Sequence, residues 1–172
     1  LEGAAKDRLT TALMAAHNAG APPEREYNYY PEKWREPYLG RRRACGFGLY
    51  KVLDIGREDK AKMQAQHGQN FVFFGAPVGL IFTIDRDMEQ GSWLDYGMFV
   101  QSVMLAARGE GLETCPQAAF AYHAPLVQKT VGIPAGEMVA CGISLGYADP
   151  NAIVNTFVTN REPLETFVNW VE

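Results

Sequence analysis

The sequence predicts an α+β fold of layered α/β character, and three observations carry that prediction. Two apolar runs, Ala76-Pro77-Val78-Gly79-Leu80-Ile81-Phe82-Thr83-Ile84-Asp85 and Met138-Val139-Ala140-Cys141-Gly142-Ile143-Ser144-Leu145, have the composition of buried strands. Segments with apolar residues at helical spacing precede, separate and follow them, and they dominate the chain. Glycine and proline punctuate the joins, as in Gly20 with Pro22-Pro23, Gly132-Ile133-Pro134 and Gly146 to Pro150.

In chain order, Leu1-Glu2-Gly3 reads as the tail of a strand entering a helix over 4–18, where Leu9, Ala12, Leu13 and Ala16 share a face opposite Lys6, Asp7 and Arg8. Gly20 and the two prolines stop it. Between Glu24 and Leu39 come Tyr27, Tyr29, Tyr30, Trp34 and Tyr38 among charges. Aromatic rings with polar tips at that density suit a lid or a subunit interface, with a simply packed loop as the alternative. A helix is expected over 41–55, with Cys45, Leu49, Val52 and Leu53 on one face; Gly46 and Gly48 mark a bend or a close contact in its first half.

The polar stretch 57–69 reads as a helix bearing Met63 and His67, the histidine as a surface or capping residue rather than a catalyst. The run to Asp85 reads as a buried central strand. From Asp95 to Gly109 the helix is apolar nearly all round and should be buried, either in a dimer core or centrally within one subunit. A short amphipathic helix over 125–131 and the second buried strand follow. The tail carries Asn160-Arg161-Glu162-Pro163-Leu164 before an expected last helix with Phe167 and Trp170.

A chain of 172 residues that is 47% hydrophobic and 21% charged fits one domain over 1–172. A net charge of -4 and a pI near 5.4 give no field for nucleic acid or an anionic membrane, and Arg41-Arg42-Arg43 is short enough to be a solvated patch. No run approaches the roughly 18 apolar residues of a membrane helix. Cys45, Cys115 and Cys141, odd in number and widely spaced, argue against a disulfide framework and for a reducing, cytoplasmic setting. His17, His67 and His123 are scattered with no metal-ligand spacing, so no metal site is expected. Gly46-Phe47-Gly48 lacks the third glycine and the preceding strand of a phosphate loop, and no serine stands in a nucleophile elbow.

One stretch carries more information than its composition. The helix ending Met104-Leu105-Ala106-Ala107-Arg108-Gly109-Glu110-Gly111-Leu112 runs into Thr114-Cys115-Pro116-Gln117-Ala118-Ala119-Phe120. This resembles the flavin-contacting segment of the FMN-dependent nitroreductase family. Two other pieces resemble that family in its order: the strand through Asp85, and Gly142 to Pro163 with its Gly-Tyr-x-Asp-Pro and Asn-x-x-Arg-x-Pro-like pattern. The similarity covers most of the chain from about Phe71 onwards.

The resemblance implies a central, mostly antiparallel sheet flanked by helices in an intertwined homodimer. It also implies FMN as cofactor, NADPH or NADH as hydride donor, and a nitroaromatic, quinone or similar aromatic acceptor reduced by ping-pong turnover. By the same resemblance, Pro116 and Gln117 open the turn from which the N–H groups of Ala118 and Ala119 address the N5/O4 edge of the flavin, and Arg161 grips its phosphate. The aromatic segment Tyr27 to Phe47 would cover the ring, with Tyr30, Arg43 and Phe47 toward substrate and Arg43 favouring an anionic acceptor. No catalytic side chain is expected, because the flavin carries the chemistry.

Family members open with an Arg-x-Ser-x-Arg-like segment and a Ser-Asn-x-Gln-Pro-Trp-like piece. Neither occurs here, so the chain is expected to be N-terminally incomplete relative to the family. The alternatives are an inactive flavin-binding or structural dimer module, and a dehalogenating or flavin-degrading member of the same fold.

Overall fold

The computed structural model describes residues 1–171. These gather into two compact units, residues 1–32 with 60–148, and residues 33–59 with 149–171.

The first unit is built on a three-stranded antiparallel sheet of order β1-β3-β2, with β1 at Val78–Asp85, β2 at Glu113–Gln117 and β3 at Glu137–Gly146. The expectation of a central strand at 76–85 is therefore corrected. The middle position belongs to β3, six of whose ten residues are buried, and β1 lies at one edge. Its outer side is not bare at Gly79, whose N–H donates to the carbonyl of Leu1 at 2.9 Å. The β1–β3 register slips between Phe82, opposite Cys141, and Thr83, opposite Val139, which leaves Ala140 as the extra residue of a bulge. Its carbonyl is used nonetheless: the Tyr27 hydroxyl donates to it at 2.5 Å.

Helix α1 (Gly3–Asn18) buries Leu9 and Leu13 as its spacing requires, and α5 (Ala124–Val131) ends at Gly132 with φ of 77°, a left-handed cap that glycine adopts without steric cost. Both contribute to one core containing Phe71, Phe73, Phe120 and Val139. Between α3 (Lys60–Gly68) and β1, an irregular 3-10 segment over Gln69–Gly75 brings Phe73 and Phe74 to positive φ. Phe73 is thereby laid flat on the sheet at Gly79, where any added Cβ would stand 2.4 Å from its ring. Phe120 occupies the same relation to Gly142, with 2.3 Å to the closest ring carbon, and the two rings stack at 4.7 Å. The sheet is glycine at these two positions because aromatic rings need the space.

Helix α4 spans Gln90–Gly109, earlier in start than expected, and this chain's own described residues do not bury it, against the expectation of a central helix within one subunit. None of its residues is buried; Leu94, Met98, Phe99 and Leu105 are all more than half exposed. Its contacts with the sheet run through Phe82, Tyr96 and Trp93.

In the second unit, α2 covers Tyr38–Val52, again starting earlier than the spacing predicts. The anticipated close contact is real at Gly48, where a Cβ would meet the Phe157 ring at 2.6 Å, and absent at Gly46. The expected last helix is corrected to a single 3-10 turn at Leu164–Thr166, with Phe167 and Trp170 exposed. A pattern this short cannot repay helix nucleation without a surface to pack on.

Candidate functional site

Helix α4 closes on Glu110 and Gly111, the latter at φ of 75°, and the chain turns into β2. Pro116 sits in β2 opposite Ile143, tolerable because β2 is a sheet edge and the missing N–H costs no ladder bond on its outer side. Gln117 ends the strand. A 3-10 turn over Ala118–Tyr122 follows at once.

Two anchors fix this bend. The Gln117 side chain is 2% exposed; its Nε2 donates to the Asn70 carbonyl at 2.7 Å and its Oε1 accepts from the Ser144 hydroxyl at 2.5 Å. Phe120 is fully buried over Gly142. Between the anchors stand Ala118, half-buried, whose side chain ends at Cβ, and Ala119, which is buried in the same core as Phe120. Sequence reading placed Gln117 at the mouth of the turn but missed Asn70 and Ser144, which hold it. An isolated glycine inside the apolar run at 142 was the available signal of a close approach.

The other expected residues are placed as follows. Tyr30 is exposed in the first unit, its ring edge-on to Tyr29 at 4.8 Å. Arg43 and Phe47 lie on exposed positions of α2 in the second unit, with the Arg57 guanidinium 4.7 Å above the Phe47 ring. Arg161, also exposed and in the second unit, donates from Nη1 to the Thr159 hydroxyl at 2.5 Å and to the carbonyls of Thr159 and Asn160. All are neutral oxygens. Among the described residues Arg161 has no carboxylate partner, so its charge is available to an anion.

No alternative chemistry assembles among the described residues. No group of three metal-ligating side chains occurs. Burial raises the Cys115 thiol and pushes Cys141 up to about 11, so neither is poised as a thiolate nucleophile. The three histidines, distant in sequence, do come together: His17 and His67 stack at 5.4 Å, and both pack with His123 around Phe71. Burial, then the proximity of His17, depresses the pKa of His67 and of His123, while Glu24 opposes the shift at His123. This is an aromatic cluster on the edge of the core, with His17 and His123 half-buried and His67 exposed around the buried Phe71, closed by a hydrogen bond between His17 Nε2 and the Gln64 carbonyl at 2.9 Å.

Comparison with known proteins agrees with the sequence resemblance. The sequence model of the Nitroreductase family matches residues 2–147. The chloronitrobenzene nitroreductase of Comamonas testosteroni is 40% identical over 173 residues, covering 99% of this chain and 76% of the relative. The 4-nitrobenzoate reductase of Pseudomonas putida is 40% identical over 171 residues, covering 99% and 74%. Among solved structures, the FMN and NADPH-dependent nitroreductase NfnB from Sphigopyxis sp. strain HMH is similar at a TM-score of 0.95 and 34% identity, over 100% of this chain and 78% of that one. The fold, the turn after α4 and these relatives agree, and the chain belongs to the nitroreductase family.

Proposed function

We propose that this protein is an FMN-dependent, NAD(P)H-oxidising nitroreductase that acts on nitroaromatic compounds as a cytoplasmic homodimer. The observation that carries the reading is the clamped bend at Gln117–Phe120, where buried side chains hold bare peptide toward whatever packs on it. The residues fit FMN by the chemistry of their donors. Ala118 and Ala119 offer main-chain N–H groups without side-chain obstruction, and Arg161 offers a guanidinium engaged only by neutral oxygens. When bound, the flavin supplies hydride acceptance and release, which accounts for a site without an acid, base or nucleophile of its own. Pro116 and Gln117 set the direction of the turn. Tyr30 and Phe47 supply stacking surface for an aromatic acceptor, and Arg43 a charge for one that carries a carboxylate, the class named in the Pseudomonas relative.

The homodimer rests on α4. A 20-residue helix with no buried residue and with Leu94, Met98, Phe99 and Leu105 exposed is an apolar surface of the kind that homodimers cover. An open groove of about 680 Å³ beside it, lined by Ile81, Phe82, Tyr96, Phe99, Val103 and Ile133 among others, continues that surface. The cytoplasmic setting rests on three free cysteines and on the absence, among the described residues, of a helix able to cross a membrane.

Absorbance tests the reading. Purified protein should carry an oxidised-flavin spectrum that NADPH bleaches anaerobically and a nitroaromatic restores. Protein that stays colourless and takes up no added FMN would refute it. Arg161→Ala should weaken FMN binding about tenfold, the effect of one lost charge-assisted bond. Arg43→Ala should slow turnover of 4-nitrobenzoate more than that of nitrobenzene; equal slowing would remove Arg43 from substrate selection.

A further inference from the structure

After α1, residues 21–32 belong to no helix or strand of the sheet and are exposed throughout, except at Glu26 and Tyr27. A carboxylate turned inward from such a loop loses hydration, and it stays charged only where donors replace the water. Three donors do so here. The Glu26 side chain, 13% exposed, accepts from Arg86 Nη2 at 2.5 Å, from Gln128 Nε2 at 3.1 and 3.2 Å, and from the Val139 N–H at 3.3 Å. Tyr27 follows with its hydroxyl on the Ala140 carbonyl at 2.5 Å and its ring 4.8 Å from that of Trp93. Two successive side chains of the loop thus take main-chain groups of two successive residues of β3.

The socket and the candidate site share one origin. Strand β2 pairs with β3 from Gly142 to Gly146, and the chain leaves the sheet after Gln117 into the turn that carries Ala118 and Ala119. Among the described residues, 137–141 of β3 therefore have no β2 partner, and the bulge at Ala140 lies within them. The loop is also tied to the turn itself: the Glu24 N–H donates to the Tyr122 carbonyl at 2.8 Å, and the Arg25 guanidinium lies 4.3 Å from the centre of the Tyr122 ring. Beyond this root, Tyr29 and Tyr30 are exposed and meet edge-on at 4.8 Å. We propose that Glu26 is a positioning residue for the aromatic acceptor, fixing the loop beside the turn so that Tyr29 and Tyr30 present a preformed ring surface. The proposal rests on the reading of the chain as a nitroreductase whose flavin packs against the Ala118–Ala119 turn. The partners specify the residue type. All three are donors, so an acceptor-only carboxylate satisfies them, whereas glutamine would set an amide N–H against one of them.

Glu26→Gln and Tyr27→Phe, each in the full chain, test this against wild type. Hydrogen exchange over 24–32 should accelerate about tenfold in Glu26→Gln and less in Tyr27→Phe, with α1 and β1 unchanged. In anaerobic stopped flow of the reduced, flavin-loaded protein, Glu26→Gln should need about tenfold more 4-nitrobenzoate for half-maximal reoxidation, with the maximal rate and the flavin content held. Reoxidation by ferricyanide, which accepts electrons without stacking, should stay within about twofold of wild type. Tyr27→Phe keeps the ring and removes one hydroxyl, so it carries the same test, with a rise of about threefold, should Glu26→Gln not fold. Unchanged exchange over 24–32 would overturn the socket. Accelerated exchange with an unchanged 4-nitrobenzoate requirement, or equal slowing with ferricyanide, would overturn the positioning role. Wild type that takes up no FMN or reduces no nitroaromatic would refute the proposed function and this role with it, whereas a competent wild type matched by both variants would overturn this proposal alone.

Discussion

Gly142→Ala places one methyl group where the structure has no room, and its cost can be worked from distances. The new Cβ would stand 2.3, 2.7 and 2.9 Å from three carbons of the Phe120 ring, well inside van der Waals contact. The ring would have to retreat by roughly 1 Å to relieve it. It cannot do so freely, because Phe120 is fully buried and stacked at 4.7 Å on Phe73. Phe73 in turn is pressed to within 2.4 Å of the vacant Cβ position of Gly79. With both layers filled, the overpacking cost falls toward the upper part of the usual range, about 2–3 kcal/mol. For a chain of 172 residues this lowers the melting temperature by roughly 5–10 °C. Thermal unfolding followed by far-ultraviolet circular dichroism measures it. Because Phe120 directly follows Ala119, the same shift should also weaken FMN binding. Phe120→Leu introduced into Gly142→Ala should recover part of the lost stability. A Gly142→Ala protein melting within 1 °C of wild type would refute the packing argument, and a double variant no better than the sum of its singles would show that the clash is not the source.

Four further outcomes follow from the structure. Gln117→Leu strands the Ser144 hydroxyl and the Asn70 carbonyl in the interior, and urea denaturation should show a loss of about 1–3 kcal/mol, partly restored by Ser144→Ala. Gly48→Ala drives a Cβ against the Phe157 ring, and hydrogen exchange should accelerate in α2 and around 153–157, with a cost of about 1–3 kcal/mol. Acidification should destabilise the first unit through His67 and His123. Their folded pKa values are depressed, so the unfolded chain takes up protons first, and stability present above about pH 6.5 is lost as pH falls below it. His67→Phe should therefore lose less melting temperature between pH 7.5 and 5.5 than wild type does. Leu94→Lys with Leu105→Lys should raise the dimer dissociation constant at least tenfold in sedimentation equilibrium, since both side chains are more than 60% exposed on α4.

Much of the fold was legible because local pattern and tertiary environment agreed. Helix α1 shows its buried face as Leu9 and Leu13, α5 shows its stop as Gly132, and the apolar runs around Ile84 and Ile143 become strands. What failed was information that no local window contains. Strand order is set by which edges pair, so composition could not place β3 rather than β1 in the centre. The histidines looked scattered because α1, α3 and the turn after β2 meet only in three dimensions, around Phe71. The sequence of α4 describes a helix meant to be covered; the exposed Leu94, Met98 and Leu105 show that this chain's described residues do not cover it. In the candidate site the bend itself was readable from Pro116 and the alanines, whereas Gln117 resembled a turn polar residue and proved to be an interior one.

The placement of the bend depends on a periodicity of two. Gly142 and Ser144 are alternate residues of β3 and so project to the same side of the sheet, one receiving the Phe120 ring and the other bonding the Gln117 amide. The two anchors of the turn thus dock on one face of one strand, and that strand is the most buried in the sheet. Ala118 and Ala119 inherit their position from it. Under the proposed function, a site that offers peptide rather than side chain at 118 and 119 cannot be tuned by exchanging those residues, since a larger one would only obstruct. Changes in flavin affinity or potential that keep the protein folded are therefore expected at 117, 120, 142 and 144. Conservative exchanges there, such as Ser144→Thr and Phe120→Tyr, should move the flavin potential measured by dye equilibration, while Ala118→Leu should abolish flavin binding without changing it by degrees.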